Sequence, residues 1–197
     1  MNFLKATPAL IESDPQLKTI ISRAGAIRLP PPRENFESLV DSIVSQQLSV
    51  KAAATIFQRV CLVLENEITP AKVRSTSAEQ LRRAGLSGQK TNYLYALAEA
   101  FSHKPGVYNR LHSLTDEEVI KTLTEIKGIG VWTAQMFLMF TLLREDVFPI
   151  GDLGIRRGME RFLYNGEKQN QETLIQRAEI WAPYRSVASL YLWKAQE

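Results

Sequence analysis

Residues 119–157 read VIKTLTEIKGIGVWTAQMFLMFTLLREDVFPIGDLGIRR, and this stretch decides the fold. Val119, Ile120, Leu123 and Ile126 recur at helical spacing and predict one amphipathic helix. The turn KGIG follows at once, with Gly128 and Gly130 on either side of Ile129. A second helical pattern restarts at Trp132 and runs through Met136, Met139, Phe140 and Leu143. Two helices joined by so short a glycine turn form a hairpin, and the first amides of its second helix lie outside the helical hydrogen-bond ladder. Glycine lets that backbone approach another surface closely, and the helix dipole favours an anion there. A phosphate of a nucleic-acid duplex meets both conditions.

Working outward, the chain reads as helix after helix. Leu10, Ile11, Leu17, Ile20 and Ile21 mark helical turns broken near Pro15, and RLPPPREN (28–35) is a connector too stiff to be helical. Phe36, Leu39, Val40, Ile43 and Val44 form the next helical face, which stops around SQQLS (45–49). Val50 to Leu64 carries another, Thr69-Pro70 opens a short one, and Ser77 with Gln80 has the spacing of a capping box. After the turn AGLSG, Leu94, Leu97, Ala98 and Phe101 line a further helix, and Thr115 with Glu118 caps the first helix of the hairpin. Beyond the hairpin, Ile155/Met159/Phe162, Leu174/Ala178/Trp181 and Val187 to Trp193 mark three more. No alternation of period two and no internal repeat is found, so the fold expected is all-α. Its organisation would be a single domain of two helical lobes, one over about 35–144 ending in the hairpin, the other combining about 1–34 with 145–197.

Composition narrows the function classes. At 197 residues and 45% hydrophobic, the chain can bury a substantial core. A net charge of +3 permits a polyanionic partner without demanding one. The single cysteine, Cys61, excludes a disulfide framework, a thiolate zinc site and a cysteine-ligated iron–sulfur cluster, and its apolar setting predicts a buried thiol. The N-terminus lacks the apolar core of a signal peptide, and no apolar run reaches membrane-spanning length. A soluble protein of a reducing compartment is expected.

The segment FPIGDLGIRRG (148–158) carries the chemistry. Gly151 turns the chain and Asp152 stands at the start of the next helix. Aspartate is among the best helix N-caps, which explains the residue without any activity. A carboxylate held at a helix N-terminus also stays ionised, because the dipole and the N–H donors favour the charged form. Such a fixed anion can stabilise a developing sugar cation, and the two roles are compatible.

LTEIKGIGVWTAQMF, DVFPIGDLGIRRG, APYRSVASLYLW and the opening segment NFESLVDSIVSQQLSVKAAATI together resemble the helix-hairpin-helix DNA glycosylase superfamily. Within it the likeness is to the DNA-3-methyladenine glycosylase II type, and it covers most of residues 35–197 in order. The resemblance implies removal of alkylated bases from double-stranded DNA, the first step of base excision repair. It makes Asp152 the catalytic aspartate, Trp132 and Trp193 walls of the base pocket, and Met136 the occupant of a position where a relative carries a third aromatic. The backbone N–H groups of Gly128, Gly130 and nearby residues would hold a phosphate, and the neighbouring Lys127 would be solvated or face that phosphate. The backbone carbonyls of Thr124, Ile126 and Ile129 would coordinate a Na⁺ or K⁺ ion. Gln47 of the SQQ turn would enter the DNA near the vacated base, and Leu86, Ser87 and Gly88 belong to the loop that carries an intercalating wedge. Tyr184 and Tyr191 are further candidate walls, whereas Trp181 is assigned to the core.

Two departures from the family pattern matter. Superfamily members that also cut the backbone carry a nucleophilic lysine just after the hairpin, and here that position is Trp132. Tryptophan cannot form a Schiff base, so a monofunctional enzyme using water is expected. The position nearest the usual bulky intercalator is Gly88, so either Leu86 or Gln89 substitutes or lesion capture relies less on a wedge. An alkylated purine is cationic, which suits electron-rich indole faces and makes the base a good leaving group. That agrees with the absence of a general acid near the motif, since His103 and His112 fall in or beside a remote loop. Arg156, Arg157 and Arg161 could meet phosphates or simply be solvated, and Arg185 could instead tie its helix to a neighbouring carboxylate. Lys51, Lys90 and Lys127 cluster near candidate DNA-facing turns. Two other readings stay open: a glycosylase for deaminated or mispaired bases, and a non-catalytic module that only binds DNA or lesions. A monomer is expected, in the cytoplasmic nucleoid of a bacterium or archaeon or in a eukaryotic nucleus.

Overall fold

A computed structural model describes residues 1–197. The chain is all-α. Its helices are α1 (Phe3–Ser13), α2 (Leu17–Ala24), α3 (Asn35–Ser45), α4 (Val50–Val63), α5 (Pro70–Ser75), α6 (Ala78–Arg83), α7 (Gly88–His103), α8 (Pro105–Tyr108), α9 (Asp116–Thr124), α10 (Val131–Phe140), α11 (Leu153–Leu163), α12 (Gln171–Glu179) and α13 (Arg185–Lys194). One 3₁₀ turn at Leu111–Ser113 completes the regular structure. Two compact units divide the chain: residues 32–137 form one, and residues 1–31 with 138–197 form the other. The second boundary falls inside α10, between Phe137 and Leu138. No helix is long and apolar enough to cross a membrane.

The expected caps set the helix starts. Thr115 Oγ1 accepts the Glu118 N–H at 3.2 Å while the Glu118 carboxylate accepts the Thr115 N–H at 2.8 Å, and Ser77 and Gln80 repeat this reciprocal arrangement. Ser49, Thr69, Ser87 and Asn170 each accept one first-turn amide.

In the unit of residues 32–137, α7 is the central helix and packs against α3, α5, α6 and α8. Its inner face presents Leu94, Leu97 and Ala98, fully buried, to the α3 face of Leu39, Val40, Ile43 and Val44. Burying each leucine, isoleucine or valine side chain stabilises by about 1.5–3 kcal/mol. Phe101 joins the two neighbours, edge-on to Phe36 at 5.2 Å and stacked on Tyr108 at 4.4 Å. Cys61 is half-buried on α4. Burial, reinforced by the nearby Glu37, pushes its thiol above the ordinary pKa.

In the other unit, α13 is the buried axis: every residue from Ser186 to Leu192 is inside. It packs against α1, α2 and α11. The loop after α1 contributes Asp14, a carboxylate 2% exposed. Trp181 Nε1 donates to its Oδ2 at 2.9 Å and Arg177 to its Oδ1 at 2.6 Å, which compensates the buried charge. Trp181 is core, as its periodicity indicated.

Candidate active site

The segment ahead of Asp152 is fastened to the N-terminal end of α13. Arg185 grips Asp146 through Nε and Nη2, each at 2.8 Å, a fork that matches a carboxylate. Arg185 therefore ties its helix to a neighbouring acid. Ser186 Oγ accepts the Val147 N–H at 2.8 Å, and Phe148 packs edge-on against Trp181 at 6.1 Å. The Asp152 N–H then closes a turn onto Pro149 O at 2.8 Å.

Asp152 N-caps α11. Its Oδ1 accepts the Ile155 N–H at 2.9 Å and the Trp193 indole N–H at 2.9 Å. Two donors from different helices fix the direction of this carboxylate. Gly154 makes the approach of the indole possible: a Cβ there would stand 3.0 Å from Asp152 Oδ1 and 3.0 Å from Trp193 Nε1. The Trp193 ring also stacks on Phe140, 6.1 Å away at 20°. Trp193 thus has a bond to the carboxylate in addition to the pocket role the resemblance implied. The sequence pattern marks Phe140 only as a helix-face residue, with no sign of its contact with Trp193. Phe140 lies four residues beyond Met136 and eight beyond Trp132, so the three share one stripe of α10. Trp132 is 46% exposed and Phe140 38%, while Met136 is half-buried. The signal available in the sequence was the spacing of Phe140 from Met136 and Trp132, four and eight residues along one helix face.

Tyr184 and Tyr191 do not project as pocket walls. Both are buried in the core of their unit, and Tyr191 Oη shares a hydrogen bond with Thr7 Oγ1 at 2.8 Å. On α11, Arg161 lies over the Phe162 ring at 5.2 Å, Arg157 is exposed, and Arg156 Nε is buried without a hydrogen-bond partner.

The unit of residues 32–137 brings the hairpin and the SQQ turn together. Gly128, at φ +98°, accepts a hydrogen bond on its carbonyl from Gln46 Nε2 at 2.8 Å. Tyr93 lies directly beneath it. The next residue of the turn, Gln47, is exposed and held at φ +58°, a conformation that non-glycine residues adopt at a cost. Lys90 Nζ donates to the carbonyls of Val44 and Gln46, each at 2.7 Å. Desolvation there lowers its pKa from the usual lysine value. Lys90 is therefore an internal tie under the SQQ turn, which corrects its expected place among the DNA-facing cations. Leu86 is corrected too. At 5% exposure its side chain belongs to the core and cannot serve as a wedge. Ser87, Gly88 and Gln89 are exposed at the start of α7, as is Lys127 beside the hairpin glycines.

The carbonyls of Ile126 and Ile129 lie on the hairpin turn and that of Thr124 at the end of α9, and the Ile129 N–H bonds to Ile126 O at 3.0 Å. No group of three His, Cys, Asp or Glu side chains could hold a metal ion. Backbone carbonyl oxygens are hard donors, which suit a hard cation rather than a soft, thiolate-seeking metal. His103 stands 4.0 Å from Glu99 on the surface of α7 and His112 lies in the 3₁₀ turn, both in the unit that does not contain Asp152.

Residues 40–183 match the family described as HhH-GPD superfamily base excision DNA repair protein. DNA-3-methyladenine glycosylase 1 of Schizosaccharomyces pombe is 39% identical over 169 residues, which is 84% of this chain and 74% of that protein. Among solved structures, the DNA-3-methyladenine glycosidase of Bacillus halodurans superposes with a TM-score of 0.86 at 41% identity, covering 96% of this chain and 88% of that one. The S. pombe 3-methyladenine DNA glycosylase Mag1, solved in complex with abasic DNA, gives 0.85 at 35% identity, covering 96% and 95%.

Proposed function

Because the chain belongs to the HhH-GPD superfamily of base excision DNA repair proteins, we propose that it is a DNA glycosylase that hydrolyses the N-glycosidic bond of alkylated purines such as 3-methyladenine and 7-methylguanine in duplex DNA. The observation that carries this reading is the Asp152 carboxylate, held by the Ile155 amide and the Trp193 indole. A helix cap needs only the first of these donors.

Flipping a base out of the stack costs a few kcal/mol, and aromatic stacking in a pocket recovers about 1–3 kcal/mol per base. Trp132, Met136 and Trp193 are the proposed pocket residues. The glycosidic C–N bond breaks with its electron pair passing to the base nitrogen, which neutralises the alkylated purine. Positive charge develops on the sugar, and Asp152 stabilises it from a direction already fixed by its two donors. Water adds to the sugar carbon and releases a proton, leaving an abasic site. Trp132 at the position of the lyase lysine supports hydrolysis without strand cleavage. Lys127, Gly128 and Gly130 would hold the adjacent phosphate, Gln47 would fill the vacated stack, and Ser87 and Gly88 would meet the duplex beside it. The carbonyls of Thr124, Ile126 and Ile129 would hold Na⁺ or K⁺, whose charge helps anchor a phosphate. The protein would act as a monomer, in a nucleoid or a nucleus according to the organism.

The test is release of 3-methyladenine and 7-methylguanine from methylated duplex DNA by wild type and Asp152→Asn. Wild type should release free base. Asn caps a helix as well as Asp, so the variant should keep its stability within about 0.5 kcal/mol while losing release. DNA binding without release of any lesion base would leave a non-catalytic module. Undiminished release by Asp152→Asn would remove the carboxylate from the mechanism.

A further inference from the structure

We propose that Gln196 is a positioning residue that sets the Trp193–Asp152 hydrogen bond and so the direction of the carboxylate. Its catalytic consequence rests on the glycosylase reading above. Gln196 lies just past α13, where the last turn tightens: its backbone N–H bonds to Trp193 O at 3.1 Å instead of continuing the helical ladder to Leu192. Its own side chain serves the Leu192 carbonyl, with Nε2 donating there at 2.8 Å. The same Nε2 donates to Gly154 O at 3.0 Å.

A C-terminal cap explains the first bond only. The second reaches another helix, at the first turn of α11, two residues beyond Asp152. Trp193 follows Leu192 directly. The amide therefore brackets the two backbone points that carry the donor indole and the acceptor carboxylate. The fit depends on two glycines one helical turn apart on the same face of α11. A Cβ on Gly158 would lie 2.9 Å from Gln196 Nε2, as one on Gly154 would meet Trp193. Both hydrogens of one amide thus hold the register in which the indole N–H meets Asp152 Oδ1.

The test uses the whole protein and the indole N–H signals of its three tryptophans, assigned by single Trp→Phe variants. Trp181, whose indole bonds to Asp14, serves as the internal control. In Gln196→Met, which keeps the length and removes the donors, exchange of the Trp193 indole proton should accelerate about tenfold while Trp181 stays within about twofold. Single-turnover base release should fall about tenfold with the Kd for DNA within about twofold, the split expected when a reacting group is misdirected rather than binding lost. Gln196→Lys, which restores a donor at a helix C-terminus, should recover most of both effects. Gly158→Ala moves the amide without removing it, and should show the same pattern, smaller; it stands in should Gln196→Met fail to fold. Unchanged Trp193 exchange in a folded Gln196→Met would overturn the proposal. So would equal acceleration of Trp193 and Trp181 with rate and affinity falling together. If wild type releases no base, the glycosylase reading fails and the indole measurement alone still decides the bracket.

Discussion

Gly128 and Gly130 look alike in the sequence, yet only one of them should be indispensable to the fold. Gly128 has φ +98°, and a Cβ built on it would lie 2.3, 2.5 and 2.7 Å from Cγ, Cδ2 and Cδ1 of Tyr93. The ring sits against the glycine and is itself held by Gln89, whose Nε2 meets Tyr93 Oη at 2.5 Å. Gly128→Ala therefore incurs about 1–2 kcal/mol for a left-handed L-residue. It adds about 1–3 kcal/mol of overpacking, because the ring must retreat by roughly 1 Å to reach ordinary contact. For a chain of this size 1 kcal/mol moves the midpoint by about 2–4 °C, so a fall of about 10 °C in thermal melting is expected. A double-mutant cycle separates the two causes: Tyr93→Ala removes the overlap but not the backbone strain, and should return about 1–3 kcal/mol to Gly128→Ala. Around Gly130 a Cβ would meet nothing within 4 Å. Gly130→Ala should melt within about 0.5 kcal/mol of wild type, yet bind duplex DNA more weakly if the turn approaches a phosphate. A Gly128→Ala protein melting within 2 °C of wild type, by the same size scaling, would refute the steric reasoning.

Other expectations follow from single groups. Lys90→Met loses two charge-assisted bonds to Val44 and Gln46, partly offset by the desolvation it relieves. A urea denaturation should register a loss of about 1–3 kcal/mol, and a variant as stable as wild type would mean the lysine only neighbours those carbonyls. On the proposed reading, in which Trp132 takes the place of the lyase lysine, borohydride added during base release should trap no protein–DNA adduct; a trapped species would contradict hydrolysis by water. The Cys61 thiol is raised above its ordinary pKa by burial first and by Glu37 second. A raised pKa leaves less thiolate at a given pH, so iodoacetamide should alkylate Cys61 more slowly at pH 8 than it alkylates a short cysteine peptide. Equal or faster reaction would refute that environment.

What the sequence disclosed divides along chain separation. The capping boxes at Ser77 and Thr115, the glycine turn and the apolar faces of α3, α7 and α11 are local signals. Each depends on residues no more than four apart, and each was legible. Asp152 shows the limit within one side chain. Its bond to the Ile155 amide spans three residues and was readable as a cap. Its bond to the Trp193 indole spans 41 residues, and no periodicity encodes it. Lys90 was misplaced for the same reason, because the carbonyl of Val44 that turns it inward lies 46 residues away. Leu86 was misread because a residue in a glycine-rich turn carries no sign of which way its side chain points. The Gln46–Gly128 bond, across 82 residues, joins two turns that the sequence could only name separately. The elements of a helical protein are thus written in short-range pattern, whereas the direction of the Asp152 carboxylate is set in part by a partner from a distant helix. Gln196→Met, which reaches Asp152 only through Trp193 and Gly154, should therefore alter the chemistry while removing no more local structure than one C-terminal cap of α13.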